Sequence, residues 1–120
     1  MYVNQLDNPD GTMIPNQNSP QTADFDEFIA TQEIPVLADF WADWCQPCHM
    51  MSPVLKQLAG NWKGRLKVIK VNTEKKPGLA NRFGISGLPT LILFKNGREI
   101  HRLSGAMPLA RLKEELEPRL

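Results

Sequence analysis

The chain has 120 residues, a length for one domain, and a formal net charge of +1. That balance excludes a nucleic-acid or anionic-membrane bias, and no apolar run approaches the ~20 residues of a membrane span. With 42% hydrophobic and 22% charged residues, the composition is that of a globular domain with one modest core rather than a disordered chain.

Residues 1–22 are polar and broken by Pro9, Gly11, Pro15 and Pro20, with Asp7 and Asp10 as their only charged side chains. They read as a flexible or loosely docked arm ahead of a domain at 23–120. The alternative is a short edge strand at 2–3 or 12–14. The segment lacks the basic and apolar regions of a secretory signal. No Lys or Arg precedes Lys56, unlike a transit peptide. A cytoplasmic location is therefore expected, where a cysteine pair sits reduced and cycles.

Asp24 with Glu27 three positions later has the pattern of a capping box. Phe25, Phe28 and Ile29 give the short helix behind it one apolar face, ending near Thr31. Residues 36–40 are nearly all apolar, as a central parallel strand requires, and Asp39 is the exception. Cys45 and Cys48, the only cysteines, open an amphipathic helix over 49–62. Its core face is Met51, Val54, Leu55, Leu58, Ala59 and Trp62, and Pro53 is expected to kink it. Residues 66–71 read as the next strand. Pro77 starts a short helix carrying Leu79, Ala80 and Phe83. A turn-rich loop over 84–90 leads into a strand at 90–94. Asn96-Gly97 then marks a hairpin to a strand at 99–103, which Gly105 ends. Leu109, Leu112 and Leu116 define a last amphipathic helix. The order α-β-α-β-α-β-β-α is a mixed α/β domain, a β-α-β unit followed by a β-β-α unit.

A C-x-x-C pair beside a β-α-β pattern reads as a redox dithiol. A cysteine at a helix N-terminus faces unpaired N–H groups and the positive end of the dipole, which lowers its pKa. Cys45 holds that position as nucleophile. Cys48, one turn on along the same face, can break a mixed disulfide formed at Cys45. Pro47 suits the first turn, where its missing N–H costs nothing. Asp39, a carboxyl on an apolar strand, should have a raised pKa and could exchange protons with the resolving thiol; the bland alternative is a structural acid bonded to backbone. Lys70 on the next strand can moderate that shift. A cis bond at Pro89 would expose the Leu88 backbone to an extended substrate, although most X-Pro bonds are trans. Trp44 is expected at the surface as part of a contact patch.

Two other chemistries fit the letters less well. Cys45-Gln46-Pro47-Cys48-His49 satisfies the C-x-x-C-H haem motif, but a strand-led α/β context and the missing export signal disfavour it. A zinc site of Cys45, Cys48, His49 and His101 lacks a second paired knuckle. No cofactor and no metal are expected. His49 reads as a helix residue near the thiols, able to tune them when protonated, and His101 as an ordinary strand residue.

The segment Ala38-Asp39-Phe40-Trp41-Ala42-Asp43-Trp44-Cys45-Gln46-Pro47-Cys48-His49-Met50 resembles the active-site segment of the thioredoxin family. Met51-Ser52-Pro53 is similar to that family's helix-kinking proline and Gly87-Leu88-Pro89-Thr90 to its cis-proline loop. Phe94-Lys95-Asn96-Gly97 resembles its last hairpin, and Ser104-Gly105-Ala106 the glycine after it. The likeness covers 24–120. It implies the thioredoxin fold, a central mixed β-sheet flanked by helices. It also implies Cys45 as nucleophile, Cys48 as resolving thiol, Asp39 as buried acid beside Lys70, and a cis Pro89. The implied substrate groove is lined by Trp44, Thr73, Gly87, Leu88, Pro89, Gly105 and Ala106. The implied electron donor is a thioredoxin reductase, the substrates are protein disulfides, and a monomer is expected. Gln46 in place of glycine and His49 in place of lysine depart from the family. Gln46 is uncharged, so the potential should stay near thioredoxin's reference of about −270 mV. Residues 17–20 occupy the place of the family's first edge strand, which leaves that strand open. The expected function is thiol–disulfide oxidoreduction. The alternative is a thioredoxin-like binding module for a dedicated partner, with the dithiol as a redox switch. A third reading, an oxidant or isomerase, requires a less reducing potential and an exported location.

Overall fold

A computed structural model describes residues 21–120. The arm and the strand question at residues 2–3, 12–14 and 17–20 lie outside these residues. The elements are α1 (Gln21–Thr31), β1 (Val36–Trp41), α2 (Gln46–Asn61), β2 (Lys67–Asn72), α3 (Pro77–Arg82), β3 (Thr90–Lys95), β4 (Arg98–Ser104) and α4 (Leu109–Leu116), followed by a 3-10 turn at Glu117–Arg119.

The apolar run at the start of β1 makes it an interior strand. Val36, Leu37, Ala38, Asp39 and Phe40 are all buried. Strand β1 pairs parallel with β2 and antiparallel with β3, and β4 closes the hairpin, giving the order β2-β1-β3-β4. A parallel pair needs a crossover, and α2 supplies it. Strands β3 and β4 need only a two-residue turn. Asn96 and Gly97 provide it at φ of 55° and 78°, the left-handed region that primed hairpin turns require.

Alternation along β1 divides the core in two. Ala38 and Phe40 face α1 and α3, packing with Phe25, Ile29, Leu79, Ile92 and Phe94. Phe25 meets Phe83 and Phe94 edge-on at centroid distances of 5.6 and 5.4 Å. Leu37 faces the other way, onto Met51, Leu55 and Leu58 of α2 and Leu112 and Leu116 of α4. Asp39, two residues after Leu37, shares this second face. A carboxyl therefore enters the sheet layer that α2 covers.

One local reading is corrected. Helix α1 begins at Gln21, so Asp24 is not its N-cap and no capping box forms there. Asp24 instead sits in the first turn, where the helix dipole favours a negative charge. Helix α2 runs continuously through Pro53.

Candidate active site

Strand β1 ends at the half-buried Trp41, and the chain turns through Ala42, Asp43 and Trp44. The Cys45 N–H donates to the Ala42 carbonyl at 3.1 Å, closing that turn. Cys45 is the N-cap of α2 in extended conformation, with Pro47 in the first turn. Its sulfur accepts a hydrogen bond from the Cys48 N–H at 3.2 Å. An oxygen-bearing side chain usually caps a helix this way; here a sulfur fills the role. The two residues form a disulfide with Cα atoms 5.3 Å apart. Both are nearly buried, packed with Ala42 and against Trp41 and Leu88. Around them Trp44 (70% exposed) and Met50 (64%) stand open.

Asp39 is fully buried on the β1 face that α2 covers. Burial pushes its carboxyl from 3.8 up to about 7, and the Lys70 charge works against that rise. Neither carboxylate oxygen has a hydrogen-bond partner among the described residues. This departs from the structural alternative, in which backbone groups would hold the acid. Lys70 is the direct register neighbour of Asp39 on β2. Its ammonium donates to Ser52 Oγ at 2.8 Å and lies 4.8 Å from the centre of the Trp41 ring.

The loop before β3 comes to the same place. The Leu88–Pro89 bond is cis. Thr90 Oγ1 donates to the Gly87 carbonyl at 2.6 Å, and the Gly105 N–H donates to the Pro89 carbonyl at 2.9 Å. Leu88 packs against the cluster of Ala42 and the two cysteines. A groove of about 290 Å³ runs beside this loop, lined by Trp44, Thr73, Ala80, Ile85, Ser86, Gly87 and Leu88. Four of the expected groove residues, Trp44, Thr73, Gly87 and Leu88, thus share one cavity. Pro89 and Gly105 adjoin it through their mutual hydrogen bond, and Ala106 follows exposed behind Gly105; none of the three lines the groove itself.

Several neighbours were not legible in the sequence. Glu74 accepts from the Trp44 indole at 3.0 Å, and Ser52 holds Lys70. Ala80 and Ile85 extend the groove beyond the expected set. Ala80 stands on α3 and Ile85 in the loop after it, so it is the packing of α3 that brings these two in. His49 bonds the Asp43 carbonyl through Nε2 at 2.7 Å and meets the Trp41 ring edge-on at 6.2 Å. His101 lies on β4 against Glu115 of α4, at 3.0 Å. No group of three or more metal-capable side chains occurs among the described residues.

This constellation allows sulfur exchange. A sulfur capped at a helix N-terminus, a second sulfur one turn away, a buried acid on the strand face that the same helix covers and an adjoining apolar groove are what the chemistry uses. The thioredoxin family model matches residues 17–118. Thioredoxin 1 of Chlorobaculum tepidum is 48% identical over 91 residues, which is 76% of this chain and 90% of that protein. Thioredoxin of Synechocystis sp. is 42% identical over 101 residues, 82% of this chain and 94% of the relative. The chloroplastic M-type thioredoxin of Pisum sativum is 43% identical over 93 residues, 78% of this chain and 54% of that longer protein. The chain belongs to the thioredoxin family, and it is a thiol–disulfide oxidoreductase that reduces protein disulfides.

Proposed function

We propose that Cys45 carries out the attack, Cys48 the resolution and Asp39 the proton exchange. The observation that supports this division is the Cys48 N–H aimed at the Cys45 sulfur. In the reduced protein the same amide and the helix N-terminus would stabilise a Cys45 thiolate. That thiolate attacks one sulfur of a substrate disulfide. A mixed disulfide forms and the other substrate sulfur leaves as a thiolate. Asp39 then takes the Cys48 proton, and the new thiolate attacks the Cys45 sulfur. The Cys45–Cys48 disulfide forms and the second substrate sulfur leaves. Two electrons pass to the substrate, whose two thiolates take up protons.

Lys70 moderates the charge on Asp39. Trp44, Thr73, Gly87 and Leu88 hold the extended substrate chain beside the sulfurs, with Pro89, Gly105 and Ala106 at its margin. A thioredoxin reductase returns the dithiol, so the protein serves electron transport and redox homeostasis as a monomer. The cytoplasm, where dithiols are kept reduced, is the compartment that suits repeated turnover. No described helix is long and apolar enough to cross a membrane.

Insulin-disulfide reduction with dithiothreitol, together with a redox titration of the pair, tests the reading. Catalysed reduction at a potential near about −270 mV supports it. Absence of catalysis overturns the residue assignments. Cys48→Ser then separates a general reductase from a dedicated module. The first traps many mixed disulfides at Cys45, and the second gives one stoichiometric partner that survives reductant.

A further inference from the structure

Asp39 and Lys70 stand side by side in the β1–β2 register, on the face that α2 covers. A cation placed next to a buried carboxylate ordinarily pairs with it directly, because each ion leaves water at a cost the other offsets. That pair is not made here. Both Asp39 oxygens lack a hydrogen-bond partner among the described residues, and the Lys70 ammonium is bonded to Ser52 Oγ and stacked on Trp41.

We propose that Ser52 is a positioning residue: with the Trp41 ring, its hydroxyl holds the Lys70 ammonium off the Asp39 carboxyl and so sets the pH at which Asp39 gives up its proton. Three observations carry this. Ser52 sits on α2 one turn after Cys48, so the helix that positions the thiols also positions the cation. Lysine has four rotatable bonds, and the same stem that reaches Ser52 from β2 can reach the neighbouring carboxyl. The other groups facing Asp39 do not compete. Strand β3 places Leu91 opposite it, and α4 presents Leu112 and Leu116 to this layer. At the start of α2 the two cysteines are joined in a disulfide and carry no charge, while His49 faces Trp41 and the Asp43 carbonyl.

Removing the hydroxyl takes an acceptor from the ammonium, and the register neighbour of Lys70, Asp39, offers two buried oxygens that have no hydrogen-bond partner among the described residues. Direct contact then stabilises the ionised carboxyl far more than the held-off cation does. The proposal concerns Asp39 itself; its bearing on turnover rests on the proton role assigned above.

The test is a pH titration of the Asp39 carboxyl carbon by NMR in the oxidised protein, where neither thiol titrates. In Ser52→Ala the midpoint is expected to fall by about one pH unit or more from the wild-type value. Ser52→Thr keeps the hydroxyl and is expected to titrate like the wild type. In a Lys70→Met background, Ser52→Ala is expected to move the midpoint no further. A midpoint in Ser52→Ala equal to or above the wild-type one overturns the proposal. So does the same fall in the absence of Lys70. The pH profile of insulin reduction separates this from the role of Asp39. If the midpoint moves and the profile does not, Ser52 still positions Lys70, and the proton role of Asp39 is what fails.

Discussion

Replacing Asp39 with Asn tests whether burial governs the central acid. The carboxyl is fully enclosed, and burial raises its pKa from 3.8 to about 7 against the opposing charge of Lys70. Below 3.8, folded and unfolded chains both carry the proton, and the group adds no pH dependence. Between 3.8 and about 7 the unfolded chain ionises while the folded one does not, so stability falls as the pH rises. Above about 7 both are ionised and the loss is complete. An interval of about 3 pH units, at about 1.4 kcal/mol each, amounts to about 4 kcal/mol. Asparagine has nearly the same shape and does not titrate. Its stability relative to the wild type should therefore climb by about 4 kcal/mol between about pH 4 and about pH 8. Urea unfolding of the oxidised protein at closely spaced pH values reads this difference. The new amide adds only a constant offset, which can neither create nor cancel a slope. A difference that stays flat over this range would refute the argument.

Three further perturbations probe the groove and the core. Trp44→Ala removes an exposed wall of the groove and a hydrogen bond to Glu74. Steady-state kinetics should show a severalfold rise in the KM for insulin, with stability within about 0.5 kcal/mol of the wild type. Gly105 sits at φ +88° with open space where a Cβ would go. Gly105→Ala should cost about 1–2 kcal/mol from backbone strain alone, measurable as a lower urea midpoint. Phe25 is fully buried between Phe83 and Phe94. Phe25→Ala should cost about 3–5 kcal/mol, and a loss below about 1 kcal/mol would mean that the cluster refills the space.

What could be read in advance was whatever is written locally. The nearly continuous apolar run at 36–40 identified the interior strand, because only a strand covered on both faces tolerates it. Asn96-Gly97 fixed the hairpin, since few other pairs adopt two left-handed conformations in succession. The two cysteines at the head of an amphipathic helix marked the chemistry, and Asp39 stood out as a charge in the wrong company. The start of α1 was misjudged because a capping signal at Asp24 competes with helical residues before it. Such ends depend on a few tenths of a kcal/mol per residue.

By itself, then, the sequence determined the order of the elements, the reactive pair and the odd acid on the strand before it. Each follows from spacing along the chain, where periodicity and dipole act over a turn or two. Only the tertiary structure decided what those residues touch. It placed Leu88 against the cluster of Ala42 and the cysteines and Gly105 on Pro89, and brought Glu74 to the indole of Trp44 across 30 positions. It also set the Lys70 ammonium on Ser52, 18 positions away in the chain, rather than on the carboxyl of its strand neighbour. Contacts of that kind depend on how α2 lies across β1 and β2. That placement is set by the packing of Met51, Leu55 and Leu58 on the sheet: helical spacing marks these three as the core face, but not which sheet residues they meet.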